Sequence, residues 1–106
     1  MSAHNTLVAI RDLLSDPARW TQGAAARDDH QRAVHPNAPQ AVCWCVSGAL
    51  ERKCDPGERM YAVARVLDES SNSLFHFGAV TINDSLGHAA VLAVIDHAIA
   101  KTAVLR

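Results

Sequence analysis

Apolar residues recur every three or four positions in four separate stretches of this chain, the spacing of helices that bury one face. Leu7, Ile10, Leu13 and Leu14, with Val8 beside them, make the first, and Ser2 or Asn5 is placed to cap it. Ser15-Asp16-Pro17 ends it, because proline has no amide hydrogen and disfavours a helical residue before it. A short turn over 18–26 follows and carries Trp20 inward. Asn37-Ala38-Pro39 then offers a cap and a first-turn proline, predicting a second helix from Pro39 to Lys53, stopped by Asp55-Pro56-Gly57. A third is expected from Glu58 to Asp68, with Met60, Val63, Ala64 and Leu67 on one face and Ser70-Ser71-Asn72-Ser73 as its breaker. The last is capped by Asp84 or Ser85 and runs to Thr102, with Leu92, Ile95, Ala98 and Ile99 inward.

Two stretches fall outside that pattern. Asp28 to Pro39, DDHQRAVHPNAP, is polar with two prolines and reads as a connecting loop long enough to suggest a function. Leu74 to Ile82, LFHFGAVTI, has strand-like residues, but a lone strand lacks a pairing partner, so an irregular apolar crossing that packs Phe75 and Phe77 is expected. The expected fold class is therefore all-α: a compact bundle of four main helices with short extra turns and an irregular apolar segment over 74–82. With 106 residues, a single helical domain over 1–106 is expected.

Composition narrows the function classes. Aromatics are only 5% of a chain that is 49% hydrophobic, so the core is built from Ala, Val, Leu and Ile. Ten basic residues against eleven acidic ones, with no block of like charge, disfavour a nucleic-acid partner, which would require a clustered positive face. No apolar run reaches the length of about 20 residues that spans a bilayer, and the start lacks a signal peptide's regions. A cytoplasmic protein with reduced thiols and no membrane association is expected.

All three cysteines lie in AVCWCVSGALERKC, residues 41–54. On a continuous helix Cys43 and Cys45 diverge by about 200° and Cys43 and Cys54 are about 16 Å apart, so neither a chelate nor a disulfide forms between them. Cys45 falls on the inward stripe Val42, Cys45, Val46, Ala49, Leu50 and reads as a small apolar core residue. Cys43, nearer the expected helix start, is the one thiol whose reactivity stays open; Cys54 is the one expected at the surface. No Cys-x-x-Cys, HExxH, Ser-His-Asp or glycine-rich phosphate motif occurs, and no metal or cofactor is expected. Asp28-Asp29-His30 has the side chains for a cation or acid–base site but equally those of a solvated turn. His76, Asn83, Asp84 and His88 form a second polar group in which a capping role for Asp84 competes with chemistry. In Trp20-Thr21-Gln22-Gly23 an aromatic anchor, polar side chains and a tight turn coincide, placed either to line a small pocket with Trp44 or to staple the connection onto the second helix.

Trp20-Thr21-Gln22-Gly23, Ala26-Arg27-Asp28, Trp44-Cys45 with Gly48-Ala49-Leu50, and Asn83-Asp84 before Val91-Leu92 together resemble a family of small bacterial and phage proteins of unknown function. The similarity runs from about Leu7 to Ile99; the chain departs at Ile82, where the family has a tryptophan. The resemblance brings no catalytic residues. It implies that Trp20, Gln22, Asp28, Trp44, Cys45, Asn83 and Asp84 hold recurring positions, as a fold-defining polar network or a shared binding site. The leading expectation is a non-enzymatic interaction or regulatory protein that binds a protein partner or forms a homodimer. By analogy with the family's phage members it extends to an inhibitor of a host defence complex such as a CRISPR effector. The rival is a small hydrolase or ligand-binding domain with a pocket near Trp20, Gln22, Asp28, Trp44 and Asp84.

Overall fold

A computed structural model describes residues 2–55 and 60–103. Among the described residues the chain forms five helices and one two-residue strand pair: α1 (Ala3–Leu14), β1 (Ala26–Arg27), β2 (Cys43–Trp44), α2 (Val46–Lys53), α3 (Met60–Phe75), α4 (Ala79–Ser85) and α5 (His88–Ala103). A 3-10 turn, Pro17–Arg19, follows α1. The protein is mostly helical as expected, with five helices rather than four.

Helix α1 begins as its sequence predicts. The Ser2 hydroxyl accepts from the Asn5 amide at 3.1 Å, satisfying one of the donors that a helix start leaves open. Leu7, Ile10 and Leu14 are fully buried where α1 packs against α2 and α5. Removing side chains of this size from water contributes about 1.5–3 kcal/mol each. Val63 and Leu67 of α3, Ile82 of α4, and Val91, Val94 and Ile95 of α5 complete the centre.

Helix α2 starts at Val46, seven residues later than expected. The chain from Pro39 to Cys45 is instead turn and extended backbone, because β2 pairs antiparallel with β1, Ala26 opposite Trp44 and Arg27 opposite Cys43. That pairing is non-local, so the local cap-and-proline signal at 37–39 lost to it. Cys43 therefore lies in a buried strand ahead of α2 and not within the helix itself. Cys45 is buried as expected, but as the N-cap of α2: its Sγ accepts from the Gly48 amide at 3.3 Å.

Helix α3 runs through the serines to Phe75. Ser70 and Ser71 are fully buried, and burial overrides the tendency of serine to break helices. The expected start at Glu58 lies outside the described residues. The irregular segment over 74–82 is a helical corner: α3 ends with His76 in the left-handed region (φ 65°), and α4 starts at Ala79. Phe75 packs against the core, whereas Phe77 is exposed. Asn83 and Asp84 consequently belong to α4, and α5 starts four residues after Asp84, so Asp84 does not cap the last helix.

Candidate functional site

The site is organised by Asn83, whose side chain α4 carries into the interior at zero exposure. Helix α4 is held in place from α3: the Asp68 Oδ1 accepts from the Ala79 amide at 2.8 Å, capping a helix whose own N-cap, Gly78, has no side chain to do so. Asn83 Oδ1 accepts from Trp20 Nε1 at 2.8 Å and from the Val46 amide at 3.0 Å. Its Nδ2 donates to the Thr21 carbonyl at 3.1 Å and to Asp84 Oδ1 at 3.0 Å. A carboxamide has two donors and an oxygen with two lone pairs, and here all four are used. The orientation is fixed as well, since a flipped amide would point its NH2 at two other N–H groups.

The neighbours extend this clasp. Gln22 Nε2 donates to the Asn83 carbonyl at 3.0 Å, and the Gly23 amide donates to Asp84 Oδ1 at 3.1 Å, with Gly23 at φ 76°. Trp20, Gln22, Asn83 and Asp84 are thus brought together across more than sixty positions of sequence. Trp44 adjoins them through its backbone, which bridges to Trp20 and accepts from the Thr21 amide at 3.0 Å, but its side chain, like Asp28, is engaged elsewhere. Trp44 donates its Nε1 to the Pro36 carbonyl at 2.9 Å and has the Arg52 guanidinium 5.2 Å over its ring, fixing the 36–38 turn to α2.

Asp28 closes its own turn. Its Oδ1 accepts from the amides of His30 and Arg32, both at 2.9 Å, and its Oδ2 from Arg32 Nε at 3.0 Å. Foremost the Arg32 amide, then the His30 amide and the Arg32 side chain, hold its carboxyl below the usual aspartate range against the opposing pull of burial. His30 and Asp29 are exposed, 3.6 Å apart. Among the described residues, no group of three or more His, Cys, Asp or Glu side chains is placed to hold a metal ion.

Three further positions matter to the site, though nothing in the sequence assigned them a physical role. Arg27 bridges two loops, donating to Thr21 Oγ1, the Gln31 carbonyl and the Gln22 carbonyl. Ala25 accepts from the Cys45 amide at 3.1 Å through its carbonyl, which brings the loop against α2. Gly48 permits that approach: a Cβ there would sit 1.8 Å from the Ala25 oxygen. A glycine inside a predicted helix is the one cue the sequence offered.

What remains open to a ligand is concave. A cavity of about 280 Å³ is lined by Gly23, Ala24, Ala25, Cys45, Ser47, Val80 and Asp84. A smaller one of about 70 Å³ lies between α2, α3 and α4, lined chiefly by Val46, Leu50, Ala64, Leu67, Asp68 and Ala79. Both also include Ser47 and Val80, so they adjoin as one groove along α4. Burial pushes the Cys45 thiol up, which makes it a poor nucleophile at neutral pH. Cys43 is buried too, with its Sγ 3.9 Å from the Arg27 carbonyl to which it donates. The three cysteines form no disulfide.

A family model described as "Family of unknown function (DUF6197)" matches residues 1–101. No curated protein and no solved structure matches the chain.

Proposed function

The chain belongs to that family of unknown function, and from this premise we propose that it is a small helical protein-interaction or regulatory domain that docks its partner on the α3–α4 side. The observation that carries this reading is the distribution of exposed apolar residues. Met60, Tyr61, Leu74, Phe77, Val80 and Leu86 are six of the eight large apolar side chains exposed among the described residues, and all lie between Met60, where α3 starts, and Leu86, the residue that caps the end of α4. Tyr61 is 75% exposed and Phe77 60%. Exposed aromatic and aliphatic residues beside an apolar groove are the usual composition of a docking surface. The clasp fits the same reading, because its side chains bond to one another and to backbone and hold the groove's wall, leaving Asp84 Oδ2 as its open acceptor.

Affinity capture from host lysate, with the wild type and a Val80→Lys variant compared, tests the proposal. A protein retained by the wild type and lost with the variant is expected; equal retention by both would overturn it. A homodimer through the same face would appear in sedimentation as a dimer that Val80→Lys dissociates. The narrower role, inhibition of a host defence complex such as a CRISPR effector, predicts that expressing the protein relieves interference against a targeted plasmid. The 280 Å³ cavity beside Asp84 favours one second reading, a small-ligand domain. That reading predicts a thermal shift with a small molecule that Asp84→Asn removes.

A further inference from the structure

We infer that the groove along α4 takes a cationic segment of a protein partner, with an apolar side chain over Val80 and Ser47 and a Lys or Arg on either side of it. This rests on the docking reading above and adds the partner's chemistry to it.

Each half of the groove includes one carboxylate, Asp84 in the larger and Asp68 in the smaller, and neither lining contains Lys, Arg or His. Both carboxylates are anchored by a single oxygen. Asp84 Oδ1 accepts from the Gly23 amide and Asn83 Nδ2, and Asp68 Oδ1 accepts from the Ala79 amide. Their Oδ2 atoms have no hydrogen-bond partner among the described residues, so each is a held, unspent acceptor. Asp68 meets α4 at Ala79, and Asp84 is five residues further along it, about 7.5 Å of axial rise with about 140° of rotation, so the two carboxylates belong to the separate halves that meet at Ser47 and Val80. Two basic side chains of one segment would reach the two halves, and Val80, which lines both, supplies the apolar contact between them.

An anionic ligand is the poorer match, since no basic side chain lines either half. The start of α2 borders the groove and would attract an anion if its amides were open. The Val46 amide is taken by Asn83 Oδ1 and the Gly48 amide by Cys45 Sγ. The charged side chains in the groove's own lining are both negative; the Arg27 guanidinium beside Gly23 is spent on the Thr21, Gln22 and Gln31 oxygens.

Panning a random 12-residue peptide library on the full chain tests this, with the enriched peptides measured against the wild type, Val80→Lys, Asp68→Asn and the Asp68→Asn/Asp84→Asn double variant. Asparagine keeps an oxygen for the Ala79 and Gly23 amides and removes only the charge; Asp68→Asn alone serves if the double variant does not fold. The expected peptides place basic residues around an apolar one, bind more tightly at low salt, and weaken about tenfold on the double variant. Peptides that need Val80 but are neutral or acidic, or that bind the double variant unchanged, overturn the cationic inference and leave the docking reading standing. No peptide dependent on Val80 overturns both. Self-association abolished by Val80→Lys would put a second copy in the groove and likewise overturn the inference.

Discussion

Asn83 is the residue on which the most depends, because its four hydrogen bonds join three segments that share no other polar hub. Asn83→Ala would leave the Trp20 indole N–H and the buried Val46 amide without an acceptor. Unsatisfied buried donors cost about 1–3 kcal/mol each, so a loss of about 3 kcal/mol in urea-unfolding free energy is expected. Asp28 makes a separate prediction, in pH. Its folded-state pKa is lowered, first by the Arg32 amide, so the stability it contributes is present above the ordinary aspartate range and is lost as pH falls through the lower folded value. Asp28→Asn should therefore lower the unfolding midpoint at pH 7 and flatten its acid limb; an unchanged acid limb would refute the assignment. At this scale the sequence pointed to Trp20, Gln22, Asn83 and Asp84 without showing that they meet. Asparagine next to aspartate also reads as a cap, and only the contact with Trp20, sixty-three positions away, gives it another role.

Among the elements, α1 was legible because its signals are local: a serine cap, a 3–4 spacing and a proline stop. The start of α2 and the end of α3 were not, since each is decided by a distant partner. Pairing with Ala26–Arg27 keeps Cys43–Trp44 extended, and burial in the packed interior keeps Ser70 and Ser71 helical. Two expected outcomes follow from those packings. Gly48→Ala would drive a methyl into the Ala25 carbonyl and push the loop off α2, a loss of about 3 kcal/mol, readable as a lower thermal midpoint. Ser71→Ala should do the reverse. Its hydroxyl is buried without a partner, so replacing it with a methyl group should be neutral or raise stability by about 1 kcal/mol in denaturant melts. Clear destabilisation by Ser71→Ala would mean that the hydroxyl does have a partner.

In the molecule as a whole, the ends meet: α1 packs on α5, and His4 Nδ1 lies 3.1 Å from Thr102 Oγ1. Helical class and an aliphatic core could be read from spacing and composition, whereas the groove could not, because its walls come from residues 23–25, 45–50, 64–68 and 79–84. No stretch of sequence advertises such a surface. The Asn83 clasp also has a consequence in time. Segment 20–25 spans the surface like a lid, yet withdrawing it would break the Trp20, Thr21 and Gly23 bonds to α4 and the Ala25 bond to Cys45 together. It should open only when the core does. The Cys45 and Val46 amides would then exchange their hydrogens with deuterated solvent at the rate set by global unfolding, as slowly as the centre of α5. Faster exchange at those two amides would reveal that the segment opens as a separate unit.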